Sequence, residues 1–429
     1  MPKINSELSV ILIDTSYWLY YRFFSLRNWY THAYPENYVS TPNFNAEHNW
    51  LEDELFMTKY KKLFVDNIKK LCKKYKTKLE NVILCIDCPH NEIWRHSKVK
   101  TENEKINIKN ETIKKKKIEK EKREMEKLDD DKLDDGKVDD GKVDEEINEA
   151  IIENIKPYKG TRLESHKKNN FNSFNIFNYM KTIFIPTLKD NNNNIIKIIQ
   201  CSKCEADDII GQLSVYIDNQ WKNKKKDVNE GNEGNEGNEG NEGNEGNEGN
   251  EGNEGCESSG NTNTKTQNQK KIYILANDND YLQVCNKNIK LINGLGKIIS
   301  GDKGEHYYGD KYLISKILLG DKSDNIKSCS IDSGYLHSGI SNHKIKNITK
   351  KCIDIILADS VKYSIFYRLL HDIRNNKELD ISYSSSVGNG NNNSCVNINI
   401  FKHNCNMMDF QMLPQELKEK LYTLFSQIL

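Results

Sequence analysis

Four short apolar runs constrain this chain most: SVILID (9–14), NVILCID (81–87), KTIFIP (181–186) and KIYILAND (271–278). Each is shorter than an ordinary helix and too continuously apolar for a strand with one wet face. That is the pattern of strands buried on both faces of a parallel sheet. Helical patterns lie between them: SYWLYYRFFSL follows the first run, LFMTKYKKLFVDNIKKLCKKY precedes the second, and CEADDIIGQLSVYIDNQW precedes a polar repeat. The alternation predicts an α/β class, with a central, mostly parallel sheet flanked by helices. In such sheets ligands bind outside the carboxyl ends of the strands. The acids fall there: Asp14 and Asp87 end the first two runs, Asp278 and Asp280 follow the fourth, and Glu205, Asp207 and Asp208 open the helix EADDIIGQL.

Two segments stand apart from this pattern. Residues 229–255 are nine NEG triplets without an apolar residue, which cannot bury enough surface to offset chain entropy and read as a disordered loop. Residues 101–156 begin basic and end acidic, with no apolar stripe that demands a partner, and read as partly helical at most. Both bias the charge balance. The whole chain has 63 basic and 63 acidic residues, but the triplets hold nine Glu and no base, and residues 101–156 hold 14 bases against 19 acids. The remaining sequence therefore carries +14, which suits a polyanionic partner; a generally Lys- and Asn-rich composition is the plainer explanation.

The eleven cysteines are scattered, as in a reducing compartment rather than in a secreted disulfide scaffold. Two CxxC pairs, Cys85 with Cys88 and Cys201 with Cys204, lie far apart in sequence, and ordinary packing is expected there rather than zinc. No run approaches the roughly 20 apolar residues of a membrane helix, and the first strand begins too early to leave room for a cleavable transit peptide.

GDKSDNI (320–326) places Asp321 and Asp324 at the end of a helical run, where an Asp commonly caps a helix. Any one of these acids alone is most simply a cap. Together they would repel one another by several kcal/mol in a partly desolvated cleft unless cations neutralised them. Oxygen-only donors suit hard divalent ions, Mg²⁺ above all where phosphate is also held.

In this order the motifs resemble the 5′ nucleases, a family of flap endonucleases, phage 5′ nucleases and the 5′-nuclease domain of bacterial DNA polymerase I. The likeness rests on LIDTSYWLYYRFF with Asp14 and Arg22, on CID with Asp87, on EADD, on NDNDYLQ with Asp278 and Asp280, and on GDKSDNI. It spans residues 9–326 outside the two biased segments. The resemblance implies a PIN/resolvase-like sheet and a two-metal 5′–3′ exonuclease on DNA, with Mn²⁺ able to substitute for Mg²⁺. Asp14, Asp87, Glu205 and Asp207 would hold one ion, and Asp208, Asp278, Asp280, Asp321 and Asp324 would surround the other. PYKGTR (157–162) looks like the gateway for the 5′ end, with Tyr158 stacking on a terminal base and Lys159 and Arg162 contacting the scissile phosphate. Arg95 would stand at the foot of the same gateway, or be a surface arginine. Arg22, on an aromatic-rich helix where a buried charge would otherwise lack a partner, is expected to contact phosphate.

The sequence departs from that family in three places. Asn277 and Asn279 replace a Gly and a Lys, the 101–156 insert falls in the gateway, and the Gly-rich hairpin expected after GDKSDNI reads KSCSIDSGYLHSGISNHKIKN. Gly339, Lys344 and Lys346 would keep that hairpin on duplex phosphates, with K⁺ bound to it, as a degenerate helix-hairpin-helix element. The expected division is an α/β nuclease unit over 1–310, interrupted at 101–156 and 229–270, and a helical duplex-binding portion over 311–429 with a loose loop at 385–398. Implied partners are DNA with a 5′ end, nick, gap or flap and an RNA–DNA hybrid, bound by a monomer away from membranes. The bacterial and phage form of the motifs points to a DNA-containing organelle, with the nucleus as the alternative. Other activities kept open are a structure-specific flap endonuclease, a PIN-type ribonuclease and an inactive nucleic-acid-binding protein.

Overall fold

The computed structural model describes residues 3–35, 48–130, 158–159, 174–188, 196–230, 270–300, 308–329, 348–377, 396 and 398–429. In chain order the elements are β1 (Val10–Asp14), α1 (Thr15–Ala33), α2 (Glu54–Lys74), β2 (Val82–Ile86), α3 (Trp94–Asp130), α4 (Phe174–Tyr179), β3 (Lys197–Gln200), α5 (Ala206–Glu230), β4 (Ile272–Leu275) and β5 (Ile289–Ile292). Helices α6 (Asp310–Leu319), α7 (Lys350–Ala358), α8 (Ser360–Arg374), α9 (Ile398–Met408) and α10 (Gln415–Ile428) complete them. The five strands form one parallel sheet in the order β3-β2-β1-β4-β5.

The continuous apolar character of the strands follows from burial on both sides. Ile11 and Ile13 of β1, with Val82, Leu84 and Ile86 of β2, face a core built with α1, α2 and α4. Val10 and Leu12, with Ile83, Ile272 and Ile274, face the opposite core against α5 and α10. A third core joins α6 to α9 and takes in Ile93, Val99 and Tyr158. The last helix, grouped by sequence with the helical portion, instead returns to the α/β layer, where Leu417, Leu421 and Phe425 pack under α5 and Ile4 N donates to Ile428 O at 2.9 Å.

One expected strand is a helix. KTIFIP continues α4 through a π-helical turn at Met180–Phe184 into Ile185–Thr187. Its buried residues, Ile176, Phe177, Met180, Ile185 and Leu188, recur at helical spacing, while Ile183 faces solvent. The wide turn immediately precedes Pro186, which has no N–H to donate to the ladder. The edge positions of the sheet belong instead to KIIQ and IKLI, two four-residue strands each containing a lysine. In the 101–156 insert, α3 extends helix to Asp130, and 131–156 lie outside the described residues. So do the NEG triplets beyond Glu230 and residues 385–395.

Candidate active site

The parallel sheet brings the acids to one edge. Asp14 ends β1 and caps α1, its Oδ1 accepting from Tyr17 N at 3.0 Å. Asp87 follows β2 and accepts from Ala206 N at the start of α5 at 2.9 Å. Asp278, just beyond β4, accepts from Asp280 N at 2.9 Å, and Asp321 accepts from Ser323 N at 2.8 Å. Asp14, Asp278 and Asp321 thus spend one oxygen on a backbone N–H near their own elements, whereas Asp87 ties the end of β2 to α5. The second oxygens meet side chains: Tyr281 OH donates to Asp14 Oδ2 at 3.3 Å, Ser16 Oγ donates to Asp87 Oδ2, and Lys316 Nζ lies 3.1 Å from Asp321 Oδ2.

GDKSDNI is shaped by its first residue. Gly320 ends α6 at φ +72°, and a Cβ there would lie 2.5 Å from the Lys327 carbonyl. The chain turns back so that Asp321 and Ile326 exchange backbone hydrogen bonds of 2.9 and 2.8 Å. This puts Asp321 and Asp324 into a cleft also lined by Asp207, Asp280, Arg95, Tyr158 and Lys316. The Asp324 carbonyl accepts from Lys159 N at 3.3 Å, which ties the loop to the Tyr158–Lys159 segment.

Four basic side chains reach the acids among the described residues. Arg95 is only 2% exposed and donates to both Asp208 oxygens (2.7 and 3.2 Å), to Glu205 Oε2 (2.8 Å) and to the Met407 carbonyl (2.9 Å). Lys159 Nζ donates to Glu205 Oε1 at 2.7 Å, and Tyr158 OH approaches Glu205 Oε2 at 3.4 Å. Lys181 lies 3.6 Å from Asp87, and Lys316 lies between Asp280 and Asp321, 3.1 Å from the latter. Lys181 and Lys316 were not expected from sequence. Lys181 was hidden in the misread strand, and Lys316 looks like any polar position on an amphipathic helix.

Asp208, which the resemblance placed at the second ion, is fully buried: its Oδ2 accepts from Trp94 Nε1 at 3.0 Å, Glu205 N at 3.0 Å and Arg95 at 3.2 Å, and its Oδ1 accepts from Arg95 at 2.7 Å. Arg95 is not on the surface; it lines the cleft beside Tyr158 and is the counter-ion that pins α3 to the start of α5. Arg22 is 8% exposed, donates to the Gly294 carbonyl at 3.0 Å and lies 4.3 Å from the Trp18 and Tyr21 ring centres. Aromatic faces and a carbonyl hold that charge in the core, where it was expected to meet phosphate. Tyr158 is buried as well. Arg162, Gly339, Lys344 and Lys346 lie outside the described residues.

The electrostatics divide the acids. Burial raises Glu205, but Lys159 and Arg95 outweigh it and hold the carboxyl below its usual range. Burial, with Asp87 and Asp278 nearby, pushes Asp14 up to about 7. Burial and Asp278 push Asp280 up to about 6 despite Lys316. Asp207 is driven well up by burial and Glu205. Carboxyls that repel one another while offering only oxygen donors fit hard divalent cations, and oxygens of Glu205, Asp207 and Asp208 lie within 4.8 Å of one another. The residues present fit such ions: Asp207 shares its surroundings with Glu205 and Asp208, which Arg95 and Lys159 already neutralise, and Asp14, Asp87, Asp278 and Asp280 bring further oxygen donors to the same end of the sheet. The two CxxC pairs meet in space, with Cys88 N donating to Cys204 O at 3.0 Å, but among the described residues no three Cys or His gather as metal ligands.

No protein-family profile matches this chain, and no curated protein matches it either. Among solved structures it is similar to a phage T5 protein co-crystallised with metal ions, at 11% identity and TM-score 0.45 over 98% of this chain and 99% of that one. It is also similar to the T5 5′-exonuclease with bound zinc, at 10% identity and TM-score 0.44 over 98% and 99% of the two chains. A T5 flap endonuclease in complex with DNA and metal ions gives 11% identity and TM-score 0.44 over 98% of each chain. Overlaps of this size leave the functional reading to rest on the geometry of the site itself.

Proposed function

We propose that this chain is a metal-dependent nuclease that hydrolyses phosphodiesters near DNA 5′ ends, working as a 5′–3′ exonuclease and leaving 5′-phosphate and 3′-hydroxyl ends. One observation carries the reading. Asp207, Asp280, Asp321 and Asp324, from three separate segments, line one cleft with Arg95, Tyr158 and Lys316, beside the mutually repelling Asp14, Asp87 and Asp278. An acid cluster of this size only destabilises a protein that does not use it. Two Mg²⁺ or Mn²⁺ ions held by Asp14, Asp87, Asp207, Asp278 and Asp280, with Asp321 and Asp324 in support, would supply an activated water and neutralise the developing phosphate charge.

The remaining residues set the stage for that chemistry. Arg95 fixes α3 against α5 by its bonds to Glu205 and Asp208, and so fixes the wall of the cleft. Lys159, held by Glu205 beside the buried Tyr158, would offer an ammonium to an incoming phosphate. Lys181 and Ser16 both donate to the Asp87 side of the site, Lys181 also donating to Ser16 Oγ at 2.8 Å. Lys350 and Lys351 at the start of α7 extend a basic surface toward duplex DNA.

A flap endonuclease is the second reading, favoured by α3. This 37-residue helix starts at Trp94, brings Arg95 to the cleft and carries the exposed Lys114–Lys117 stretch, a row of ammonium groups suited to the phosphates of a single strand. Both readings are tested with Mg²⁺ and 5′-labelled recessed, gapped, flapped and RNA-primed substrates. Asp280→Asn is expected to lose about 100-fold or more of the cleavage rate, the scale on which one preorganised electrostatic group acts. Wild-type rates in that variant would refute the assignment, and preferential cutting of long flaps would select the second reading over the first.

A further inference from the structure

We propose that Lys316 is a built-in cation of the second metal position: its ammonium holds Asp280 and Asp321 together until a divalent ion displaces it, and so separates the affinities of the two ions. The inference rests on the divalent-ion reading above and adds an order of filling to it.

Three elements converge on this lysine. Asp280 comes from the turn after β4, Asp321 from the loop after α6, and Lys316 from the last turn of α6. Its ammonium contacts both carboxylates, 3.1 Å from Asp321 and closer to Asp280, and the three side chains are only 18–20% exposed. An ammonium between two carboxylates of different elements occupies the place a shared divalent ion would take. The geometry is fixed from both sides: Gly320 N closes the helix on Lys316 O at 2.9 Å, and the Asp321–Ile326 bridge folds the loop back.

The other end of the acid row is different. Lys181 reaches Asp87 at 3.6 Å, but among the described residues no lysine or arginine pairs with Asp14 or Asp278. An ion entering beside Asp14 and Asp278 meets two carboxylates without a resident cation, since Lys181 reaches only Asp87 there. One entering beside Asp280 and Asp321 must first expel Lys316, so it binds more weakly although the donors are of the same kind. The second ion then joins only at higher free concentration, while the loop stays closed in its absence because the lysine bridges it.

Mn²⁺ titrated into the full chain without DNA, with the free ion read by its EPR signal, tests this directly. Wild type is expected to show a tight and a weak class of sites. Lys316→Met should tighten the weak class by about tenfold or more, about 1.4 kcal/mol, and leave the tight class unchanged. Lys316→Arg should keep the wild-type isotherm because it keeps the charge. Superimposable isotherms for wild type and Lys316→Met, or a change confined to the tight class, would overturn the inference. If Lys316→Met loses its folded circular-dichroism spectrum, Lys316→Gln, which can still donate to both carboxylates, is read by the same criterion. Absence of Mn²⁺ binding in every protein would overturn this inference and the proposed function together, whereas equal binding in all of them would overturn only this one.

Discussion

Asp14→Asn should make the metal-free protein more stable, and by an amount that grows with pH. In the folded chain Asp14 is pushed from an ordinary 3.8 to about 7 by burial, then by Asp87 and Asp278. The folded state therefore binds this proton more tightly than the unfolded chain does. Below about pH 4 the group is protonated in both states and has no effect on stability. As pH rises toward 7 the unfolded chain gives up the proton first, so stability falls, and above 7 the full penalty is present. At about 1.4 kcal/mol per pH unit, this displacement amounts to about 4 kcal/mol. Asp14 keeps partial contact with solvent and shares the repulsion with two neighbours, so a measured gain of about 2–4 kcal/mol is expected near pH 8. Asparagine caps a helix about as well as aspartate, so the bond from Tyr17 N survives the change. Urea unfolding in EDTA at about pH 4, 6 and 8 measures the gain, which should rise from near zero. Added Mg²⁺ should narrow the gap, because it stabilises wild type by binding only its folded state. A gain independent of pH, or a variant less stable than wild type near pH 8, would refute the electrostatic picture of the site.

Two further substitutions probe the scaffold. Arg95→Met leaves the buried Asp208 carboxylate without its counter-ion and Glu205 with Lys159 alone, and should destabilise by about 3–5 kcal/mol in urea unfolding; a change under about 1 kcal/mol would mean that Arg95 does not join α3 to α5. Gly320→Ala forces a methyl toward the Lys327 carbonyl at φ +72°. It should cost about 1–3 kcal/mol and depress cleavage by moving Asp321, with unchanged melting as the contrary result.

Much of the architecture was legible because burial on both faces leaves a local mark. Val10–Asp14, Val82–Ile86 and Ile272–Leu275 are strands where continuous apolar runs placed them. The acids that close or follow those runs stand at the sheet edge, since parallel strands all end on one side. KTIFIP shows the limit: a run of six residues carries too little periodicity to separate a buried helix from a strand, and only the preceding turn of α4 reveals the helical phase. The true edge strands KIIQ and IKLI are four residues long and carry Lys197 and Lys290, so no single run betrays them.

Within EADD the chemistry depends on direction. Asp207 and Asp208 are neighbours in the first turn of α5, and a helix turns about 100° per residue, so they face different surroundings. Asp207 lines the cleft; Asp208 points inward to Trp94 and Arg95. No local feature of the sequence separates the two, because what separates them is α3, about 110 positions earlier in the chain. The sequence by itself determined a parallel α/β sheet and the gathering of acids at one edge of it, since strand burial and strand polarity are properties of short segments. Which acids are neutralised from within, by Arg95, Lys159, Lys181 and Lys316, was decided only by tertiary structure, because a charge chooses its partner by distance in space.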